Sequence, residues 1–179
     1  PFDPEKARAL VKASGYDGRE LVMFTRIGGS IDGKRAAELM QADWAKVGIK
    51  VKVQMMEWGE LLKRAGQGEH DLTFLNWAGD NGDPDNFLTP NLSCDSVKGG
   101  GNKSRWCDAA FDKAIDEARR VSDPKKRAAL YQQAQKRMFD EVGMVPLVYP
   151  VYMTAVNQRV QGYVPSPFTH NDFRTVSLR

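Results

Sequence analysis

The sequence predicts an α/β fold with helices flanking a mixed, partly parallel sheet. Three observations carry this. Residues 21–25, 34–47 and 49–55 read as strand, helix and strand in that order, the pattern of a parallel unit with a right-handed crossover. Two Asp-Pro pairs, Asp3-Pro4 and Asp123-Pro124, mark helix starts: the aspartate caps free N–H groups, and proline at the first helical position gives up no hydrogen bond. Helical and strand patterns also interleave along the chain instead of segregating.

In order, Ala7, Leu10 and Val11 line one face of a first helix that Gly15 can end. A strand over 21–25 leads through Arg26 into a glycine-containing loop over 27–33. The helix over 34–47 carries Ala36, Met40, Trp44 and Val47 at helical spacing, with Gly48 as its stop. Ile49, Val51, Val53 and Met55 then alternate with Lys50, Lys52 and Gln54, as in a half-buried strand. A short helix over 57–65 turns Leu61 and Leu62 inward, and a third strand is expected over 71–76. Residues 90–104 read as loop. Asp108 and Asp123 start helices running to about Val121 and Val142, strands are expected over 145–149 and 152–156, and a last one over 174–178 has no obvious local partner.

The 179 residues are enough for one good core or two small ones. A net charge of +3, from 26 basic and 23 acidic side chains, is too weak and too scattered to argue for nucleic acid. No stretch reaches the ~18–20 apolar residues of a membrane span. The chain begins at Pro1 rather than Met, so the expectation is a piece of a longer precursor whose leader lies outside it.

The chemically richest stretch is Asn76-Trp77-Ala78-Gly79-Asp80-Asn81-Gly82-Asp83-Pro84-Asp85-Asn86-Phe87. A calcium loop needs a glutamate at its twelfth position, but counting from Asp80 gives Asn91 and from Asp83 gives Cys94. A hydrolase would need a second catalytic group, and no nucleophile or metal set accompanies the carboxylates. Two readings remain: a capped strand-to-helix turn, or a carboxylate that receives a ligand ammonium beside the flat wall of Trp77. Arg26 also follows a strand, and ligands of parallel sheets bind outside the carboxyl ends of strands. Arg26 and Asp80 are therefore candidates for one rim, suited to a zwitterion, against the plainer reading of Arg26 as a surface arginine. Cys94 and Cys107 fit either a disulfide or two unlinked thiols in a reducing compartment. A bridge would close a loop of about 14 residues, worth roughly 3 kcal/mol in the chain-entropy model. Trp44, Trp58 and Trp106 read as packing residues. No nucleotide, cofactor or zinc-protease fingerprint is present.

Five segments together resemble the extracellular solute-binding proteins of family 5, which serve peptide and nickel ABC importers. They are Phe2-Asp3-Pro4-Glu5-Lys6-Ala7 with Gly15-Tyr16; Gln41-Ala42-Asp43-Trp44-Ala45-Lys46-Val47-Gly48-Ile49; Glu57-Trp58-Gly59-Glu60; the Trp77-to-Phe87 string; and Cys94 with Arg105-Trp106-Cys107. The similarity extends over essentially the whole chain and is strongest to dipeptide-binding members. It implies a periplasmic-binding-protein-like lobe: residues 1–160 as the C-terminal ligand-binding lobe and 161–179 as a tail returning to a larger lobe. It implies a non-enzymatic, cofactor-free, periplasmic receptor that delivers short peptides to an ABC permease. Relatives of the family also take oligopeptides, glutathione, haem or nickel chelates. By the same resemblance Asp80 pairs with the peptide ammonium, Trp77 and Gly79 line its pocket, Arg26 takes the carboxylate, and Cys94 and Cys107 form a disulfide. Asp83 and Asp85 are expected to shape the turn. Ile27-Gly28-Gly29-Ser30 departs from the family's more proline- and asparagine-rich loop at this point.

Overall fold

The computed structural model describes residues 2–29, 32–168 and 170–179. Two compact units emerge: one takes in the chain up to Leu75 together with Lys103–Arg105, the other Asn76–Asn102 and Trp106–Arg179.

The first unit contains α1 (Pro4–Ala13), β1 (Glu20–Arg26), α2 (Gly33–Lys46), β2 (Lys50–Met56), α3 (Trp58–Gln67) and β3 (Leu72–Thr73). The sheet has the order β2-β1-β3, and both pairings are parallel. β1 is the central strand, and its alternation sets the layers. Leu21 and Met23 pack with Ala37, Met40 and Trp44 of α2, whereas Val22 and Phe24 pack with Leu61 and Ala65 of α3. A strand covered on both faces must be apolar on both, which explains the run Leu21-Val22-Met23-Phe24. Asp3 starts its helix as expected, accepting from Lys6 N–H, and Asp32, a cap the sequence reading did not name, accepts from Arg35 N–H.

The strand expected over 71–76 is confined to Leu72–Thr73. At one end Asp71 N–H still donates to Val22 O, while the Asp71 carboxylate receives Val22 N–H and pairs with Arg19. At the other, Phe74 N–H donates to Phe24 O at 3.0 Å, and the chain then leaves the sheet.

The second unit contains α4 (Asp85–Leu92), a 3-10 turn at Asp95–Val97, α5 (Ala109–Arg120), α6 (Pro124–Asp140), β4 (Val160–Gln161) and β5 (Ser177–Leu178). Leu88 and Leu92 of α4 enter a core made with Phe111, Ile115 and Ala118 of α5 and Tyr131 and Met138 of α6. Asp108 accepts from Phe111 N–H and Asp123 from Lys125 and Lys126 N–H, so both predicted caps form. Cys94 and Cys107 are joined in a disulfide, which decides between the two readings of that pair.

Three sequence expectations are corrected here. Residues 90–104 are not wholly loop, because α4 runs through Pro90 to Leu92. Proline removes one N–H, but Ser93 N–H still reaches Thr89 O and Asn91 Nδ2 reaches Phe87 O. Residues 145–149 and 152–156 form no ladder among the described residues. Their alternation favours an extended backbone, but a strand also needs a hydrogen-bonding neighbour, and Tyr149 and Met153 are more than nine-tenths exposed. The last strand does have a local partner: β5 pairs antiparallel with β4 through Val160 opposite Leu178 and Gln161 opposite Ser177.

Candidate ligand-binding site

In the first unit Arg26 is the last residue of β1, at the carboxyl end of the sheet. Its guanidinium carbon lies 4.9 Å from the centre of the Trp58 ring, at the start of α3. Its Nε is buried and has no hydrogen-bond partner. No carboxylate among the described residues pairs with it. Arg26 opens on a cavity of about 210 Å³ lined also by Gly28, Gly29, Gly33, Lys34 and Met55. Asp32 lines it too, with its carboxylate accepting from Arg35 N–H at 3.0 Å. Two cations, the capping carboxylate of Asp32 and the amino end of α2 thus border one small opening, whose balance is positive and suits an anion.

In the second unit the acidic stretch forms a loop that opens α4, as the strand-to-helix reading expects. Asn86 organises its front: its side-chain oxygen accepts Asp80 N–H at 3.1 Å and Trp77 Nε1–H at 3.4 Å. Gly79 lies beside the same oxygen, which would sit 3.8 Å from a Cβ at that position. Asn81 accepts Asp83 N–H and Asp83 accepts Asp85 N–H, each at 2.9 Å, so two successive side chains turn the backbone. Gly82 has φ +73, a left-handed conformation that glycine adopts without strain.

The rear of the loop is clamped by arginines. Arg127 of α6 grips Asp83 through Nη1 and Nη2 at 2.7 and 2.9 Å and also donates to Tyr131 Oη at 2.9 Å. Hydrogen bonding from Arg127 is the main cause holding the Asp83 carboxyl below its ordinary range. Arg119 of α5 binds Asp85 at 2.9 Å, and Asp85 also accepts Thr89 Oγ1–H at 2.6 Å. Asp83 and Asp85 therefore serve the architecture of the turn. Asp80 and Trp77 stand on its exposed front, with Trp77 43% exposed.

Trp77, Gly79 and Asp80 are thus gathered by one loop in the second unit, and Arg26 belongs to the first. Sequence reasoning missed Asn86, the two arginines and the contact of Trp58 with Arg26. The first three are read only once the helices are placed. Trp58 carries a signal, since it follows a strand as Arg26 does.

Among the described residues no group of three or more His, Cys, Asp and Glu is placed to hold a metal ion. No described helix is long and apolar enough to cross a membrane.

Residues 1–99 of the 179 match the bacterial extracellular solute-binding proteins, family 5 Middle. The chain belongs to this family. The fold agrees: a mostly parallel sheet flanked by helices, as in periplasmic-binding-protein-like lobes. Among its relatives, the di/tripeptide-binding protein 4 of Pseudomonas aeruginosa strain UCBPP-PA14 is 48% identical over 182 aligned residues, covering 100% of this chain and 34% of the relative. A dipeptide-binding protein from Pseudoalteromonas sp. SM9913, solved with Met-Leu, superposes with a TM-score of 0.91 at 30% identity, over 99% of this chain and 36% of that one. The periplasmic binding protein DppA of Helicobacter pylori, solved with the peptide STSA, gives 0.87 at 37% identity, over 99% and 35%. The chain therefore spans about a third of the length of the curated relatives it matches.

Proposed function

We propose that this chain is the C-terminal ligand-binding lobe of a periplasmic receptor that delivers di- and tripeptides to an ABC importer. The observation that carries the reading is the whole-chain match to a di/tripeptide-binding protein. Asp80 receives the peptide ammonium beside Trp77, over the small residue Gly79, and Arg26 receives the carboxylate. Both are charge-assisted contacts, the strong kind. The Cys94–Cys107 bridge suits an oxidising compartment, in keeping with the periplasm. The receptor binds and releases; it performs no turnover.

Residues 1–160 form the lobe in this reading, and 161–179 return to the rest of the receptor. Within the lobe, the apolar side chains of Val145, Val148, Tyr149, Val151 and Met153 are each more than 60% exposed. Such a run on a soluble protein marks a surface that something covers.

Native mass spectrometry of the full-length receptor, as purified, tests the proposal. Co-purified di- or tripeptides are expected. A receptor that carries only haem, glutathione or a nickel chelate, and takes up no added dipeptide, contradicts it.

A further inference from the structure

We propose that Trp58 is a positioning residue for peptide recognition: its indole face fixes the Arg26 guanidinium so that the carboxylate is taken end-on, through both Nη groups. The inference rests on the reading of Arg26 as the carboxylate partner.

Three observations carry it. The Arg26 guanidinium lies over the Trp58 ring, 4.9 Å from its centre. Its Nε is buried without a partner. Its Nη groups are not among the buried unpaired atoms, and Arg26 lines the opening. A guanidinium can grip a carboxylate side-on, through Nε and one Nη, or end-on, through both Nη. With Nε shut away only the end-on mode remains. An unpaired buried N–H is unfavourable, so an independent contact must hold the group there, and stacking on an aromatic face supplies one. Gly29 completes the seat. Its φ is +116, and a Cβ there would lie 3.0 Å from Arg26 Nε and 3.1 Å from Cζ, so a side chain would press the guanidinium off the ring.

The test uses the full-length receptor with Trp58→Leu and Trp58→Phe. Calorimetry compares a dipeptide with its C-terminal amide, which lacks the carboxylate charge. The wild type prefers the free acid. Trp58→Leu is expected to cut that preference about tenfold, and Trp58→Phe to restore most of it. A merely structural role would weaken acid and amide alike. The Arg26 Nε–Hε resonance, shifted by the ring and slow to exchange in the wild type, moves toward free arginine in the Leu variant only. A wild type that discriminates acid from amide, with a Leu variant that discriminates equally, overturns the role of Trp58 and leaves that of Arg26 standing. A wild type that binds dipeptides without discriminating overturns both.

Discussion

Asp80, Asp83 and Asp85 share one loop but not one environment. Asp83 and Asp85 are drawn into arginine clamps, whereas Asp80 stands on the exposed front with its backbone fixed by Asn86. Three carboxylates this close would repel one another, and Arg127 and Arg119 offset the charge of two of them. The clamp also makes a pH prediction. Because hydrogen bonding from Arg127 depresses the Asp83 carboxyl in the fold, the stability it adds is fully present above the unfolded value of about 3.9 and is lost as pH falls through the lower folded value. Asp83→Asn should therefore be less stable than the wild type at pH 7, and the gap should close on acidification below pH ~4. Urea denaturation at a series of pH values reads this directly. A gap of the same size at pH 7 and below pH ~3 would show that Arg127 contributes no charge linkage.

At the scale of elements, α4 is the piece on which the loop depends. It is eight residues long, too short to be stable alone, and its N-cap residue Pro84 supplies no side-chain hydrogen bond, so Asp83 accepts Asp85 N–H instead. Its stability comes from Leu88 and Leu92 in the core and from the segment after its last turn, with Ser93, the 3-10 turn and the Cys94–Cys107 bridge. Reduction of the bridge, or Cys94→Ser with Cys107→Ser, should destabilise the protein by about 3 kcal/mol. The loss should appear as a lower melting temperature that reductant produces in the wild type and not in the double variant. A wild type whose melting temperature ignores reductant would contradict this.

The unit from β1 to β2 was legible because apolar periodicity and caps act locally, and Gly48 with φ +91 stops α2 where its position predicts. The helices after Asp108 and Asp123 were legible for the same reason. α4 was hidden by Pro90, whose rule against helix interiors yields here to tertiary burial of Leu88 and Leu92. Residues 145–156 misled because a strand is a property of two segments, and periodicity describes one. Within the site, the loop's composition and its family likeness pointed to Asp80 and Trp77. The clamps from Arg119 and Arg127 join residues 34 and 44 positions apart, and no local pattern reports such a pairing.

For the whole molecule, the proposed reading gives the two charged ends of the ligand to different parts of the chain. Arg26 belongs to the unit built on the parallel sheet, Asp80 to the unit built on α4, α5 and α6. Each has its own neighbour: the Arg26 guanidinium lies over Trp58, and Asn86 accepts the Asp80 N–H. Water exclusion strengthens such charge pairs severalfold, so in the proposed reading the remainder of the receptor would contribute by covering them. The central claim is that Asp80 takes the peptide ammonium. Calorimetric titration of the full-length receptor with a dipeptide, wild type against Asp80→Ala, tests it most directly. The variant, still folded with an unchanged melting curve, is expected to lose at least about a hundredfold in affinity, the scale of one buried charge-assisted contact. An affinity equal to that of the wild type would contradict it.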